Sequence, residues 1–217
     1  MVKELGTKNS IFNKFLAEIR DTEIQKDSMR FRRNIERMGE IFAYEISKTM
    51  KTELRDVTTP LGTAKMELIT DKPILATILR AGLPLHQGLL NYFDDADNAF
   101  VSAYRKYDNS EDFHINLDYL SSPSIKDRVL IISDPMLATG GSMLASLKGL
   151  IDKGSPKRIH IVCLLAAEEG IETIKRHFSL RNLTIWAGKI DDELTAKSYI
   201  VPGLGDAGDL AYGSKED

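Results

Sequence analysis

The apolar positions of this chain change their period about a quarter of the way along. In the first part they recur at helical spacing. Ile11, Phe12, Phe15, Leu16 and Ile19 share one face, with Asn9 or Ser10 as candidate caps. Phe31, Ile35, Met38, Phe42 and Ile46 then predict an amphipathic helix from about Ser28 to about Lys51. The rest of its surface carries Arg30, Arg32, Arg33, Arg37, Glu36, Glu40 and Glu45. These charges read either as a solvated face with internal ion pairs or as a subunit or effector contact.

From Val57 onward short apolar runs alternate with helical stretches. Met66–Ile69, Ile74–Leu79, Asn98–Tyr104, Val129–Ile132, Ile159–Leu165 and Leu183–Trp186 read as strands. Helices are expected from the turn at Arg80 to about Tyr92, from Ser142 to Lys153 and from Ala167 to Phe178. The alternating stretch Phe113–Tyr119 suits an antiparallel ribbon. Strands interleaved with helices imply an α/β fold, with a mainly parallel sheet flanked by helices. Such sheets bind ligands at the carboxyl ends of their strands. No linker or repeat divides the chain, so 1–217 reads as one domain. Its helical N-terminal part covers about 1–55, and a C-terminal loop covers about 199–213.

The segment Val129–Ser142 carries the most specific chemistry. Four buried-type residues lead into Asp134-Pro135-Met136-Leu137-Ala138-Thr139-Gly140-Gly141-Ser142, after which Met143, Leu144, Leu147 and Leu150 begin a helix. A strand, a tight turn and a helix start present backbone N–H groups, small residues and two hydroxyls at the positive end of a helix dipole. A phosphate monoester fits there, and Asp134 can accept sugar hydroxyls. The plain alternative is a glycine-rich connection without a ligand.

This segment resembles the phosphoribosyl-pyrophosphate (PRPP) signature of type I phosphoribosyltransferases, in the form found in the uracil phosphoribosyltransferases. Most of that superfamily has two acidic residues where this chain has Asp134-Pro135, and another in place of Ala138; the uracil enzymes are similar to this chain at both places. Ser133 departs from the apolar residue that is commoner there. Two further motifs follow in family order. Ile78-Leu-Arg-Ala-Gly-Leu-Pro84 resembles the pyrophosphate loop, where Arg80 and the following amides hold the leaving group and a non-proline cis peptide is frequent. Arg105, in Tyr104-Arg-Lys-Tyr107 before the polar stretch Asp108–Asp112, matches an arginine that reaches the pyrophosphate from a mobile arm. The family usually has an acidic residue soon after it, where this chain has Lys106, Tyr107 and Asp108. Read alone, these are a surface arginine and an exposed loop.

Tyr199–Asp209 holds three glycines and a proline, a composition expected of an ordered loop or a tail rather than a regular element. It resembles the family's uracil loop. The resemblance implies that Ile200, Gly205 and Ala207 offer backbone groups to the base and that Asp206 meets the substrates' polar groups. Leu210 stands where a basic residue is common, and Tyr212 where phenylalanine is.

The implied reaction joins uracil and PRPP to give UMP and diphosphate, a step of pyrimidine salvage. The resemblance implies Arg80, Arg105 and Asp206 as catalytic residues, with PRPP held by these three and by Asp134, Pro135, Met136, Leu137, Ala138, Thr139, Gly140, Gly141 and Ser142. Mg²⁺ would come mainly with PRPP and water rather than through protein ligands. The alternatives are another nucleobase phosphoribosyltransferase and a non-catalytic, nucleotide-sensing regulator of the same fold. The family resemblance also implies a homodimer or higher homo-oligomer and a nucleotide effector such as GTP.

Composition narrows the remaining classes. The 217 residues suffice for one well-buried core, and 42% hydrophobic with 28% charged residues suits a globular domain. A net charge of −3 supplies no basic field for nucleic acid. No apolar run approaches the ~18 residues of a membrane span, and the first residues lack the apolar core of a signal peptide. The single cysteine, Cys163, falls inside a predicted strand as an inert buried thiol, which with the rest suggests the cytoplasm. His86, His114, His160 and His177 show no metal-ligand spacing, and His160 reads as structural.

Overall fold

A computed structural model describes residues 1–107 and 113–215, with side chains at 1–102 and 117–215. Its elements are β1 (Val2–Glu4), α1 (Ile11–Arg20), α2 (Ser28–Ser47), β2 (Thr52–Thr59), β3 (Gly62–Ile69), β4 (Ile74–Leu79), α3 (Leu83–Leu90), β5 (Asp97–Tyr107) and β6 (Phe113–Ser121). They continue as β7 (Val129–Ser133), β8 (Met136–Leu137), α4 (Gly141–Ile151), β9 (Arg158–Ala167), α5 (Glu168–His177), β10 (Leu183–Asp191), β11 (Glu193–Leu194), β12 (Ile200–Val201) and α6 (Ala207–Tyr212).

The main sheet runs β1-β10-β9-β7-β4-β5-β6, with β8 added on β9. Every pairing in it is parallel except β5 with β6. The central strands are apolar at successive positions because both faces are covered. In β4, Leu75 belongs to the core beneath α1, α2 and α3, while Ile74 and Ala76 belong to the core beneath α4 and α5. Leu130 and Ile131 of β7 divide in the same way. The five apolar residues that predicted α2 are all fully or nearly fully buried. Ser10 caps α1, its hydroxyl accepting the Phe12 N–H, while Ile11 on the expected apolar face is exposed.

Three expectations need correction. The helical N-terminal part ends at Ser47, not near Lys51 or residue 55, because Thr52–Thr59 is a strand. It forms a full eight-pair hairpin with β3, whose tip is Thr59-Pro60-Leu61-Gly62. Leu54 and Val57 are three residues apart, so β2 lacks the two-residue period of a strand with one buried face. β1 was also invisible to pattern: three half-buried residues pair with β10 at the sheet edge, and Glu4 accepts a hydrogen bond from Lys189 Nζ at 2.6 Å. Finally, Ala207–Tyr212, expected to lie in a glycine-rich loop or tail, is helical. Among the described residues no helix is long and apolar enough to cross a membrane.

Candidate active site

The predicted phosphate loop leaves β7 at the carboxyl edge of the sheet. Ser133, which pattern left without an explanation, is fully buried between neighbouring strands; its hydroxyl donates to the Ala76 carbonyl at 3.2 Å. Its own carbonyl accepts the Thr77 hydroxyl at 3.3 Å. The next residue, Asp134, is anchored through its N–H to the Val162 carbonyl, and its Oδ1 accepts the Met136 N–H. The Pro135 carbonyl accepts the N–H groups of both Leu164 and Leu165 at 3.0 Å. The loop is therefore less of a free turn than expected, since Met136–Leu137 pairs with β9. Leu137 turns its side chain into the core and leaves only its backbone for a ligand.

Gly140 has φ 82°, and a Cβ there would come within 2.9 Å of the Gly170 carbonyl, so a side chain is excluded twice. The Gly140 carbonyl then accepts the Leu144 N–H at 2.9 Å and starts α4. The first-turn N–H groups of α4 have no intrahelical partner and carry the positive end of its dipole. Thr139 and Ser142 are half-buried beside them.

Burial pushes the Asp134 carboxyl up to about 7, opposed only by the Met136 N–H, which favours the ionised form. An unfolded aspartate ionises near ~3.9. Between about pH 4 and 7 the folded chain thus binds more protons at this group than the unfolded one, and its contribution to stability falls as pH rises. A partner that donates hydrogen bonds to the carboxylate would reverse that preference.

β4 lies beside β7, so Arg80 emerges next to Asp134 on the same edge. The Leu79–Arg80 peptide is cis. Arg80 is half exposed; its Nη2 donates to Asp209 Oδ1 at 3.3 Å and to the Gly213 carbonyl at 3.4 Å. The pyrophosphate-type loop and the C-terminal segment therefore touch directly. Arg105 lies in β5, three residues beyond Ser102, the last β5 residue paired with β4, and its backbone pairs with Ile115. The Arg105 side chain and the stretch Asp108–Asp112 lie outside the described residues.

The C-terminal segment is more structured than its composition suggested. Ile200 pairs with Leu194 and buries its side chain. The Val201–Pro202 peptide is cis. Gly205 has φ 94° with open space where a Cβ would stand, an arrangement that lets a flat ligand approach the backbone. Asp206 caps α6, its Oδ1 accepting the Gly208 and Asp209 N–H groups at 2.8 and 3.0 Å. Ala207 and Ala211 are buried, and Leu210, where a basic residue is common, packs on the core. Arg32 of α2 donates to the Ala211 carbonyl at 2.6 Å and lies over the Tyr212 ring. The charged face of α2 is thus only partly solvated: Arg33 and Glu36 form an internal pair, but Arg32 tethers α6.

Sequence reasoning missed the group that holds this loop. Arg20, at the end of α1, makes two hydrogen bonds of 2.8 and 2.9 Å to the buried Asp191 carboxylate. Arg20 also donates to the Gly203 carbonyl, and the Gly203 N–H donates to Asp191. No local signal links residues 171 positions apart. Asp191→Ala is expected to cost about 3 kcal/mol, because a buried donor pair loses its acceptor. For a chain of this size that corresponds to a fall of roughly 6–12 °C in Tm. A calorimetric melt checks it, and a Tm unchanged from wild type would refute the role.

The remaining candidates are structural. His160 accepts the Trp186 indole N–H at 3.0 Å, and burial pushes its imidazole down to about 3. Burial raises the Cys163 thiol well above its usual range, which makes it unreactive. His86 is buried, and neither ring nitrogen has a hydrogen-bond partner among the described residues.

Residues 7–214 match the family model described as uracil phosphoribosyltransferase. A uracil phosphoribosyltransferase from Porphyromonas gingivalis is 57% identical over 214 residues, covering 99% of both chains. One from Thermococcus gammatolerans is 41% identical over 202 residues, covering 92% of this chain and 88% of its own. Among solved structures, the AQ2163 protein from Aquifex aeolicus superposes with a TM-score of 0.85 at 30% identity, covering 98% of each chain.

Proposed function

The chain belongs to the uracil phosphoribosyltransferase family, and from that premise we propose that the carboxyl edge of its sheet joins uracil to PRPP, giving UMP and diphosphate. The observation that carries this reading is the contact of Arg80 with α6: the loop that would hold the leaving group abuts the segment that would hold the base. The adjacent strand supplies the phosphate loop.

The reaction is a displacement at the anomeric carbon of the ribose. The bond to pyrophosphate breaks as a bond to N1 of uracil forms, N1 loses its proton, and the transition state has oxocarbenium character. The backbone and hydroxyls of Ala138–Ser142 hold the 5′-phosphate, and Asp134 accepts the ribose hydroxyls. Arg80 and Arg105 neutralise charge growing on the pyrophosphate. Ile200, Gly205 and Ala207 align the base through their backbones, and Asp206 faces both substrates. Oδ1 of Asp206 is taken up by its cap, so the carboxylates near the site suit an Mg²⁺ that arrives on PRPP and keeps its water. Bound there, the ion would add positive charge at the leaving group.

The test is Mg²⁺-dependent product formation with PRPP and each nucleobase in turn. UMP from uracil alone is expected. Turnover of a purine would redirect the assignment, and PRPP binding without turnover would point to a regulator. PRPP affinity should also rise with pH, by up to about tenfold per unit below pH 7, because its ribose hydroxyls donate to ionised Asp134. Asp134→Asn should remove that part of the profile in a binding titration; an identical profile in wild type and variant would exclude Asp134 from ribose contact.

The active form is a homodimer or higher oligomer. Leu54, Leu61, Met66, Leu68 and Ile69 are exposed on the β2–β3 hairpin, and an isolated two-stranded hairpin is marginal in water. Sedimentation that gave only monomer at assay concentrations would overturn this. A nucleotide such as GTP is the effector class to screen, and the cytoplasm is the compartment the activity suits.

A further inference from the structure

On the reading of Arg80 as the leaving-group arginine, we infer that Asp209 is a positioning residue. It holds the Arg80 guanidinium in place and so ties the pyrophosphate loop to the base loop. Only Nη2 of Arg80 is engaged, by Asp209 Oδ1 and the Gly213 carbonyl. Nε and Nη1 have no protein acceptor among the described residues. A guanidinium anchored along one edge keeps the other edge available as a planar fork for phosphate oxygens.

Both ends of this contact are fixed. Arg80 follows directly from β4, and the Gly82 N–H donates back to the Ile78 carbonyl at 3.0 Å. Asp209 is displayed from α6, which is capped by Asp206, tethered by Arg32 and seated on buried Ala207 and Ala211. The helix sits close enough that a Cβ on Gly208 would stand 3.7 Å from Arg80 Nη2 and 3.9 Å from the Ala81 Cβ. Asp209 therefore sets where the guanidinium lies relative to the base loop, and PRPP and uracil are registered against one another through it.

The sign of the effect makes the inference testable. A carboxylate this close to a pyrophosphate repels it. If Asp209 acted only through its charge, removing it would tighten PRPP binding. If it positions Arg80, removing it frees a long side chain and weakens binding. Asp209→Ala is expected to lower kcat/KM for PRPP about tenfold, the order of an arginine's ordering entropy plus a half-exposed pair. KM for uracil should stay within about twofold, because the loss falls on the other substrate. Asp209→Asn, which keeps an acceptor oxygen, should recover most of the loss, and Asp209→Leu, which has none, provides the measurement if the alanine variant folds poorly. In an Arg80→Ala background the Asp209 substitutions should have no further effect.

Tighter PRPP binding, an unchanged kcat/KM, or an additive effect on Arg80→Ala would each overturn the inference. Calorimetric binding of Mg²⁺-pyrophosphate to wild type and Asp209→Ala, with Asp209→Asn as the rescue, separates this outcome from failure of the functional reading. A wild type that makes no UMP defeats the assignment as an enzyme. Equal pyrophosphate affinity in the Asp209→Asn and Asp209→Ala proteins and the wild type defeats the positioning role.

Discussion

Cytosine is expected to react with PRPP at a kcat/KM about 10⁴-fold or more below that of uracil, a loss of the size seen when a site built to hydrogen-bond one edge meets another. Uracil carries a carbonyl at position 4 and an N–H at position 3, whereas cytosine carries an amine and a bare nitrogen. A side chain could rotate to suit either edge; a backbone group cannot. Ile200 is locked in a two-residue ladder with Leu194, Gly205 is held at φ 94°, and Ala207 is the buried first residue of α6. If these groups read the base, cytosine sets a donor against a donor and an acceptor against an acceptor, leaving the protein groups unpaired. Shape changes such as Ile200→Val should alter rate without exchanging the preference. Comparable kcat/KM values for the two bases at saturating PRPP would sink backbone readout.

Arg80→Ala is expected to lower kcat/KM by about 10²–10³, the usual effect of deleting one donor from a site of developing negative charge. Its side chain is half exposed and contributes only long contacts to Asp209 and Gly213, so the fold should survive with little change in Tm. Arg105→Ala should behave similarly, given its position on the ribbon beyond the end of β4. Wild-type kcat/KM in a folded variant would remove that arginine from the mechanism.

The parallel sheet was legible because its strands are buried on both faces. Val129–Ile132 is a continuous apolar run and Ile74–Leu79 one interrupted only by Thr77, and the helices between them keep their period. The candidate phosphate loop was legible for a different reason. A tight turn into a helix needs Gly140 at positive φ and small hydroxyl residues beside it, and those demands are local. Of the hairpin at Thr52–Ile69 only Met66–Ile69 was read as a strand, because neither of its faces is buried within the chain and no period was imposed on it.

Local composition misled at the C-terminus. Ala207–Tyr212 contains Gly208 and follows Gly203 and Gly205, which argues against a helix in isolation. It folds as one because the Asp206 cap, Arg32 and burial of Ala211 outweigh that propensity. Ser133 looked anomalous for the converse reason: its partner, the Ala76 carbonyl, belongs to a strand 57 residues away.

Apolar period and turn chemistry by themselves determined the layers of this protein, the edge of the sheet where the candidate site lies, and the residue types gathered there. Tertiary structure alone decided how the pieces are held. The Arg20–Asp191–Gly203 bridge, the Arg32 tether and the Arg80–Asp209 contact each join positions that the chain separates widely. Burial repeats along a chain and so leaves a pattern, whereas a single polar contact is made once, between partners that only folding brings together.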